Sequence, residues 1–189
     1  MKWLVVAAVE AEATTVPRDH PGLLGVLITG AGKTAAAIAV TTALARLPDP
    51  TSIGVLNVGT AGGLDSVGPS LRRPSKAWAW DLDAASLLAL GIPVQDQVPL
   101  DGGDGSVIAS GDTFIADEVR RAALRKHATI VDMECYAVAM ACQAFGTPVR
   151  ALKWVSDSAG ESAASDWSAA VPYGAAVLGE AVRDLLDAQ

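Results

Sequence analysis

The chain has 189 residues, of which 51% are hydrophobic and ten are proline, a composition that fills one core and lies far from the disordered regime. Fourteen basic against 21 acidic residues leave a formal charge of -7 with no basic block, which argues against binding to nucleic acid or to an anionic membrane surface. Residues 1–189 therefore read as a single domain, without linker, low-complexity tract or internal repeat.

The start, MKWLVVAAVEAEA, has the lysine and apolar run of a signal peptide. Only WLVVAAV (3–9) is apolar before Glu10 and Glu12 interrupt it, so a buried first strand is the better reading. LLGVLITG (23–30) reads as a second strand, followed by the alanine-rich helix KTAAAIAVTTALARL (33–47). SIGVLNVG (52–59) is a third strand, ended by glycines. The loosest stretch is 65–84, DSVGPSLRRPSKAWAWDLDA, which is either a structured loop over a pocket or a surface excursion. ASLLALG (85–91) is a short helix or turn, and VQDQVPL and SVIASG are candidate strands. IADEVRRAALRKHA (115–128) predicts an amphipathic helix, and TIVDM (129–133) a strand. CYAVAMACQAF (135–145) predicts a helix apolar on nearly every face, and TPVRALKWVSD (147–157) another strand. DWSAAVPYGAAVLGEAVRDLLDA (166–188) predicts a long terminal helix with a kink or break at Pro172.

Apolar strands alternating with helices predict an α/β fold with a mostly parallel sheet covered on both faces. No apolar run approaches the length of a bilayer span. Cys135 and Cys142 lie seven apart on one predicted helix, about 10 Å along its axis, too far for a disulfide between them. Two reduced thiols in a cytoplasmic protein is the plain expectation.

Several familiar motifs fail. ITGAGKT (28–34) lacks the first glycine of a phosphate loop, since Leu27 stands in its place, and Ala35 stands where a dinucleotide fingerprint has its third glycine. What remains is a strand, a glycine turn and a helix start, which fits close backbone approach to a ligand and fits a plain tight turn equally well. His20 and His127 have no ligand-like spacing and the cysteines form no zinc pattern, so no metal is expected. With no G-x-S-x-G elbow, an enzyme built on this chain works mainly with carboxylates.

Those carboxylates cluster at strand ends: AAVEAEA (7–13), ASGDTFI (109–115), IVDME (130–134) and WVSDSAG (154–160), with NVGTAGG (57–63) adding glycines. Ligands of open parallel sheets bind beyond the carboxyl ends of the strands, where Glu12, Thr60, Asp112, Glu134 and Asp157 would converge. Each also has a structural reading. Glu10 and Glu12 suit the first turn of a helix, Asp157 a cap, and Asp112 a turn. Glu134 is the sharpest anomaly, because it precedes ten uncharged residues and a buried carboxylate needs a partner or a ligand. Phe114 and Met133 fit the core or the wall of a flat apolar slot.

AAVEAEA, TGAGKTAAA, NVGTAGGL, ASGDTFI, VDMECYAVA and VSDSAG occur in the order found in the nucleoside phosphorylase superfamily. The chain resembles most its hydrolytic branch, the 5′-methylthioadenosine/S-adenosylhomocysteine nucleosidases, over residues 1–187. The resemblance implies a three-layer α/β/α sandwich, a homodimer, no cofactor, and a small-molecule purine nucleoside as substrate. By position it implies that Glu12 activates the attacking water, that Glu134 holds the ribose hydroxyls beside Met133, and that Asp157 protonates purine N7 with Ser156 orienting it. Phe114 would stack on the base, the backbone of Ile115 would face its edge, and Gly32 and Thr60 would form turns near the ribose and the water.

The chain departs from that pattern in three ways. It is shorter, between 13 and 28 and within 65–105, where the family shapes its pocket for the 5′ group. Lys153 stands where an arginine near the water site is usual, and Thr60 replaces a serine. The implied reaction is hydrolysis of the N-glycosidic bond of an adenine-type nucleoside, with Asp157 favouring adenine over a 6-oxopurine. The alternatives are a phosphorylase, which needs arginines, of which Arg18, Arg72 and Arg73 are those near plausible loops in the earlier half; a futalosine-type hydrolase; and a non-catalytic nucleoside-binding protein.

Overall fold

Strand β1 (Lys2–Ala7) alternates between two apolar layers, as a strand buried on both faces must. Leu4 and Val6 join one core cluster, while Trp3, Val5 and Ala7 join another on the opposite face. The computed structural model describes residues 1–65 and 68–188.

Around β1 the described strands form one mixed sheet: β2 (Leu23–Ile28), β3 (Ile53–Gly63), β4 (Leu71–Arg72), β5 (Lys76–Ala79), β6 (Gln97–Pro99), β7 (Val107–Ser110), β8 (Ile130–Asp132) and β9 (Val149–Asp157). Its order is β2-β1-β3-β8-β7-β5-β6, with β9 on the other edge of β3 and β4 beyond β9. The pairs β1–β2, β1–β3, β3–β9, β5–β7 and β7–β8 are parallel; β3–β8, β4–β9 and β5–β6 are antiparallel. The sheet is thus mixed and mostly parallel, as expected.

Helix α1 (Lys33–Ala45) places Ala36, Val40 and Leu44 against one face of the sheet, packed beside α4 (Cys135–Phe145). Helix α5 (Ala163–Asp187) covers the opposite face through Leu178, Val182 and Leu186. These are the layers of an α/β/α sandwich. Two short helices, α2 (Ala84–Ala89) and α3 (Glu118–Leu124), complete the described α-helices. None of the described helices is long and apolar enough to cross a membrane.

Several boundaries differ from expectation. Helix α3 is shorter than 115–128 because Asp117 caps it, accepting from the Arg120 N–H, while Ile115 is buried in the preceding loop. Helix α4 matches 135–145, ended by Gly146 at φ 66°. The terminal helix starts at Ala163 and continues through Pro172 without a break. Strands β4 and β5 lie in the stretch 65–84, of which residues 66 and 67 fall outside the described residues.

Strand β3 also runs four residues beyond its expected end, and this extension creates the site. On one edge its pairing with β1 ends at Asn57, and pairing with β8 begins at Gly62. The two neighbours diverge around that gap, and the loops following β1 and β8 open onto it.

Candidate active site

A cavity of about 260 Å³ opens at this divergence. It is lined by Ala8, Val9 and Glu12 after β1, Ala31 before α1, Thr60–Gly62 of β3, Thr113–Ile115 after β7, Val131–Glu134 around the end of β8, Ser156 and Asp157 at the end of β9, and Trp167 of α5. Three carboxylates expected to converge, Glu12, Glu134 and Asp157, share this one cavity. Asp112 does not line it; its carboxylate accepts from the Lys33 N–H at 2.7 Å, a structural role.

Glu12 closes a 3-10 turn at Glu10–Glu12 that reverses the chain after β1. Glu10 stays on the surface and pairs with Arg18, whereas Glu12 turns inward and is buried. Its Oε1 accepts from the Thr60 backbone N–H at 2.7 Å and from the Thr60 hydroxyl at 2.6 Å. This backbone donor lies in the gap between β1 and β8, so a side chain satisfies it in place of a strand. Glycine at 59 leaves room for this approach, since a Cβ there would sit 3.1 Å from Glu12 Oε1. Oε2 is buried without a hydrogen-bond partner among the described residues.

Glu134 occupies the N-cap of α4 but does not cap it. Its Oε1 instead accepts from the Gly32 N–H at 2.8 Å, from a glycine turn held at φ 93°. Burial pushes the Glu134 carboxyl up to about 7, the Asp132 charge adds to the rise, and Lys153 opposes it. Gly32 itself does not line the cavity; it acts through this bond.

Asp157 sits at the carboxyl end of β9. Its Oδ2 accepts from the Ser156 hydroxyl at 2.7 Å and its Oδ1 from the Ala159 N–H at 2.8 Å, so the capping reading is also realised. Burial nonetheless raises its pKa above the ordinary carboxylate range, against both hydrogen bonds. Phe114 lines the cavity with half of its side chain exposed, Ile115 is buried behind it, and Met133 adjoins Glu134.

Lys153 is elsewhere than its alignment with a water-site arginine implied. Its ammonium does not line the cavity but lies 2.8 Å from Asp132 Oδ2, and both side chains are 2% exposed. Asp132 is further held by the Ser110 hydroxyl at 2.5 Å and the Cys135 N–H at 3.0 Å, in keeping with the structural role expected of it. Burial works against the lysine's charge, but Asp132 and its neighbours outweigh that and hold the ammonium above the ordinary lysine range. Asp132 lines the cavity next to Glu134, and the Lys153 charge behind it favours the ionised form of Glu134.

Sequence reasoning missed Trp167, which reaches the cavity from the first turns of α5 and donates its indole N–H to Thr60 Oγ1 at 2.8 Å. A tryptophan near a helix start carries no signal of which sheet end that helix will meet. Val9, Ala31 and Thr113 were missed for the same reason. Among the described residues no cluster of three or more His, Cys, Asp or Glu is placed to hold a metal ion.

Residues 104–188 match the model of the Phosphorylase superfamily. The chain is 32% identical over 163 aligned residues to the 5′-methylthioadenosine/S-adenosylhomocysteine nucleosidase of Halalkalibacterium halodurans, covering 72% of this chain and 68% of that relative. It is 38% identical over 82 residues to the aminodeoxyfutalosine nucleosidase of Campylobacter jejuni, covering 42% of this chain and 34% of that one. The chain thus spans about a third of the length of the aminodeoxyfutalosine nucleosidases it matches. In fold it superimposes on a Helicobacter pylori 5′-methylthioadenosine/S-adenosylhomocysteine nucleosidase mutant with 5′-methylthioadenosine in the active site, at a TM-score of 0.87 and 21% identity, over 100% of this chain and 99% of that one. It also superimposes on the native futalosine hydrolase of Helicobacter pylori, at a TM-score of 0.85 and 22% identity, over 100% and 98% of the two chains.

Proposed function

The chain belongs to the phosphorylase superfamily, in the family of the 5′-methylthioadenosine/S-adenosylhomocysteine nucleosidases, and on that premise we propose that it hydrolyses the N-glycosidic bond of an adenine-type purine nucleoside. The observation that carries this reading is that Glu12, Glu134 and Asp157 line one cavity, each in a different environment.

The chemistry follows from those environments. As the bond from C1′ to the purine breaks, positive charge grows on the ribosyl ring and the bonding electrons pass to the purine. Asp157, whose pKa burial raises, is the acid that donates a proton toward N7 and makes the base a better leaving group. Glu134 accepts hydrogen bonds from the ribose hydroxyls and, when ionised, opposes the developing cation. Glu12, with one oxygen held by Thr60 and the other unpartnered, takes a proton from the water that attacks C1′. The products are free base and a reducing sugar. Phe114 offers a face for the base, with Ile115 behind it at the base edge and Met133 against the sugar.

Water is favoured over phosphate as the nucleophile because the described lining includes no arginine or lysine. Of the arginines available to a phosphorylase, Arg18 pairs with Glu10 on the surface, Arg72 pairs with Asp65, and Arg73 lies at a different cavity. The same proposal takes residues 1–189 as one domain acting as a homodimer in the cytoplasm, a reducing compartment that suits the two free buried thiols.

The test is incubation with 5′-methylthioadenosine, S-adenosylhomocysteine, an aminofutalosine-type nucleoside, adenosine and inosine, with and without phosphate. Free base and reducing sugar released without phosphate are expected, together with losses in kcat of about 100-fold or more for Glu12→Gln and Asp157→Asn at unchanged Tm. Strict dependence on phosphate would overturn hydrolysis. Near-normal rates in both variants would overturn the residue roles.

A further inference from the structure

We propose that Trp167 is a positioning residue for Glu12, acting through the Thr60 hydroxyl; this rests on the reading of Glu12 as the base that activates water. Thr60 Oγ1 carries one hydrogen. Because the Trp167 indole can only donate, its bond of 2.8 Å to Thr60 Oγ1 occupies the acceptor side of that hydroxyl. The hydroxyl hydrogen is thereby directed to Glu12 Oε1, 2.6 Å away. The Thr60 backbone N–H reaches the same oxygen at 2.7 Å. Oε1 is thus held by two donors, while Oε2 stays buried and unpartnered among the described residues.

This asymmetry has a chemical consequence. The lone pairs left free to take a proton belong to Oε2 alone, on a carboxylate that lines the cavity where the water must sit. Without the indole donor the threonine hydroxyl is free to rotate, and it then competes as an acceptor or turns its hydrogen toward the water. Chained donors of this kind also strengthen one another where water is excluded. Trp167 therefore orients the base without touching it. Its place on α5 ties the docking of that helix to the geometry of Glu12.

The test is Trp167→Phe, which keeps an aromatic ring in the cavity wall and removes the N–H. In the relay, kcat falls about 10-fold, the effect of one hydrogen bond, while KM for the hydrolysed nucleoside stays within about twofold. Combining Trp167→Phe with Thr60→Val gives a loss no larger than Thr60→Val alone, whereas Thr60→Ser, which keeps the hydroxyl, recovers most of the rate lost in Thr60→Val. An independent arm uses the ligand-free protein: the Trp167 indole N–H resonance, assigned by its disappearance in Trp167→Phe, shifts in Thr60→Val and in Glu12→Gln. Native kcat in Trp167→Phe, or additive losses in the double variant, would overturn the relay. If the native protein hydrolyses none of the nucleosides, the functional reading fails separately, and an indole resonance unmoved by Thr60→Val then overturns the relay on its own.

Discussion

At the scale of single residues, Glu134 carries the most information. A carboxylate at the start of an apolar helix is costly unless something uses it, and among the described residues it accepts a hydrogen bond from the Gly32 N–H. Its pKa, pushed from 4.5 to about 7, has two measurable consequences. Between those values the folded chain holds a proton that the unfolded chain has released, so stability falls as pH rises through that window. Glu134→Gln removes this slope, which denaturant titrations at several pH values would reveal. The ionised form is the one that accepts from the ribose hydroxyls and opposes the cation, so kcat/KM rises with pH and levels off above about 7. A kcat/KM profile flat from about pH 5 to about pH 8 would contradict that role. The two cysteines, by contrast, are chemically quiet: burial pushes the Cys135 thiol up and holds Cys142 at about 12, so neither offers a thiolate.

At the scale of elements, the junction of β8 with α4 acts as one unit with β9, which lies across β3 from β8. Lys153 of β9 neutralises Asp132 at the end of β8, and Asp132 in turn accepts from the first N–H of α4. Lys153→Met leaves a buried carboxylate without its cation, and a loss of about 3–5 kcal/mol in unfolding free energy is expected. Adding Asp132→Asn recovers much of that loss, because the uncompensated charge is then gone. A single variant as stable as the native chain would show the pair to be dispensable. Helix α5 illustrates a different element-level rule. Pro172 withholds an N–H from the carbonyl of Ser168, yet the helix continues, because Ser168 is exposed and water can take that carbonyl. Continuity through Pro172 keeps the packed half of α5, around Leu178 and Val182, in line with the half that carries Trp167.

At the scale of the whole molecule, the sandwich leaves apolar side chains uncovered. Leu88, Leu90 and Ile92, at and after α2, are 57%, 74% and 47% exposed, and Val119 of α3 is 82% exposed. The exposure of Leu88, Leu90 and Ile92 within one short stretch of chain suits a subunit contact, and sedimentation equilibrium of the proposed homodimer should give twice the chain mass. Replacing Leu88 and Leu90 by Glu should shift that mass toward one chain if this face is the contact. A native protein that sediments as a single chain while remaining active would remove the dimer from the proposal.

The alternation of apolar strands and helices was legible along the chain, because the continuous apolar run of β1 and the helical runs of α1, α4 and α5 are local patterns. So were the acids Glu12, Glu134 and Asp157, each out of place at the end of an apolar strand. What local pattern does not contain is which strand ends meet. The divergence of β1 and β8 along β3, the burial of Lys153 against Asp132, and the reach of Trp167 to Thr60 all join residues about 20 to over 100 positions apart. The chain order determined the layers and supplied the carboxylates. Only the packing of those layers decided which oxygen of Glu12 is tied and which is free, because hydrogen bonds between distant elements exist only once the sheet and α5 have docked.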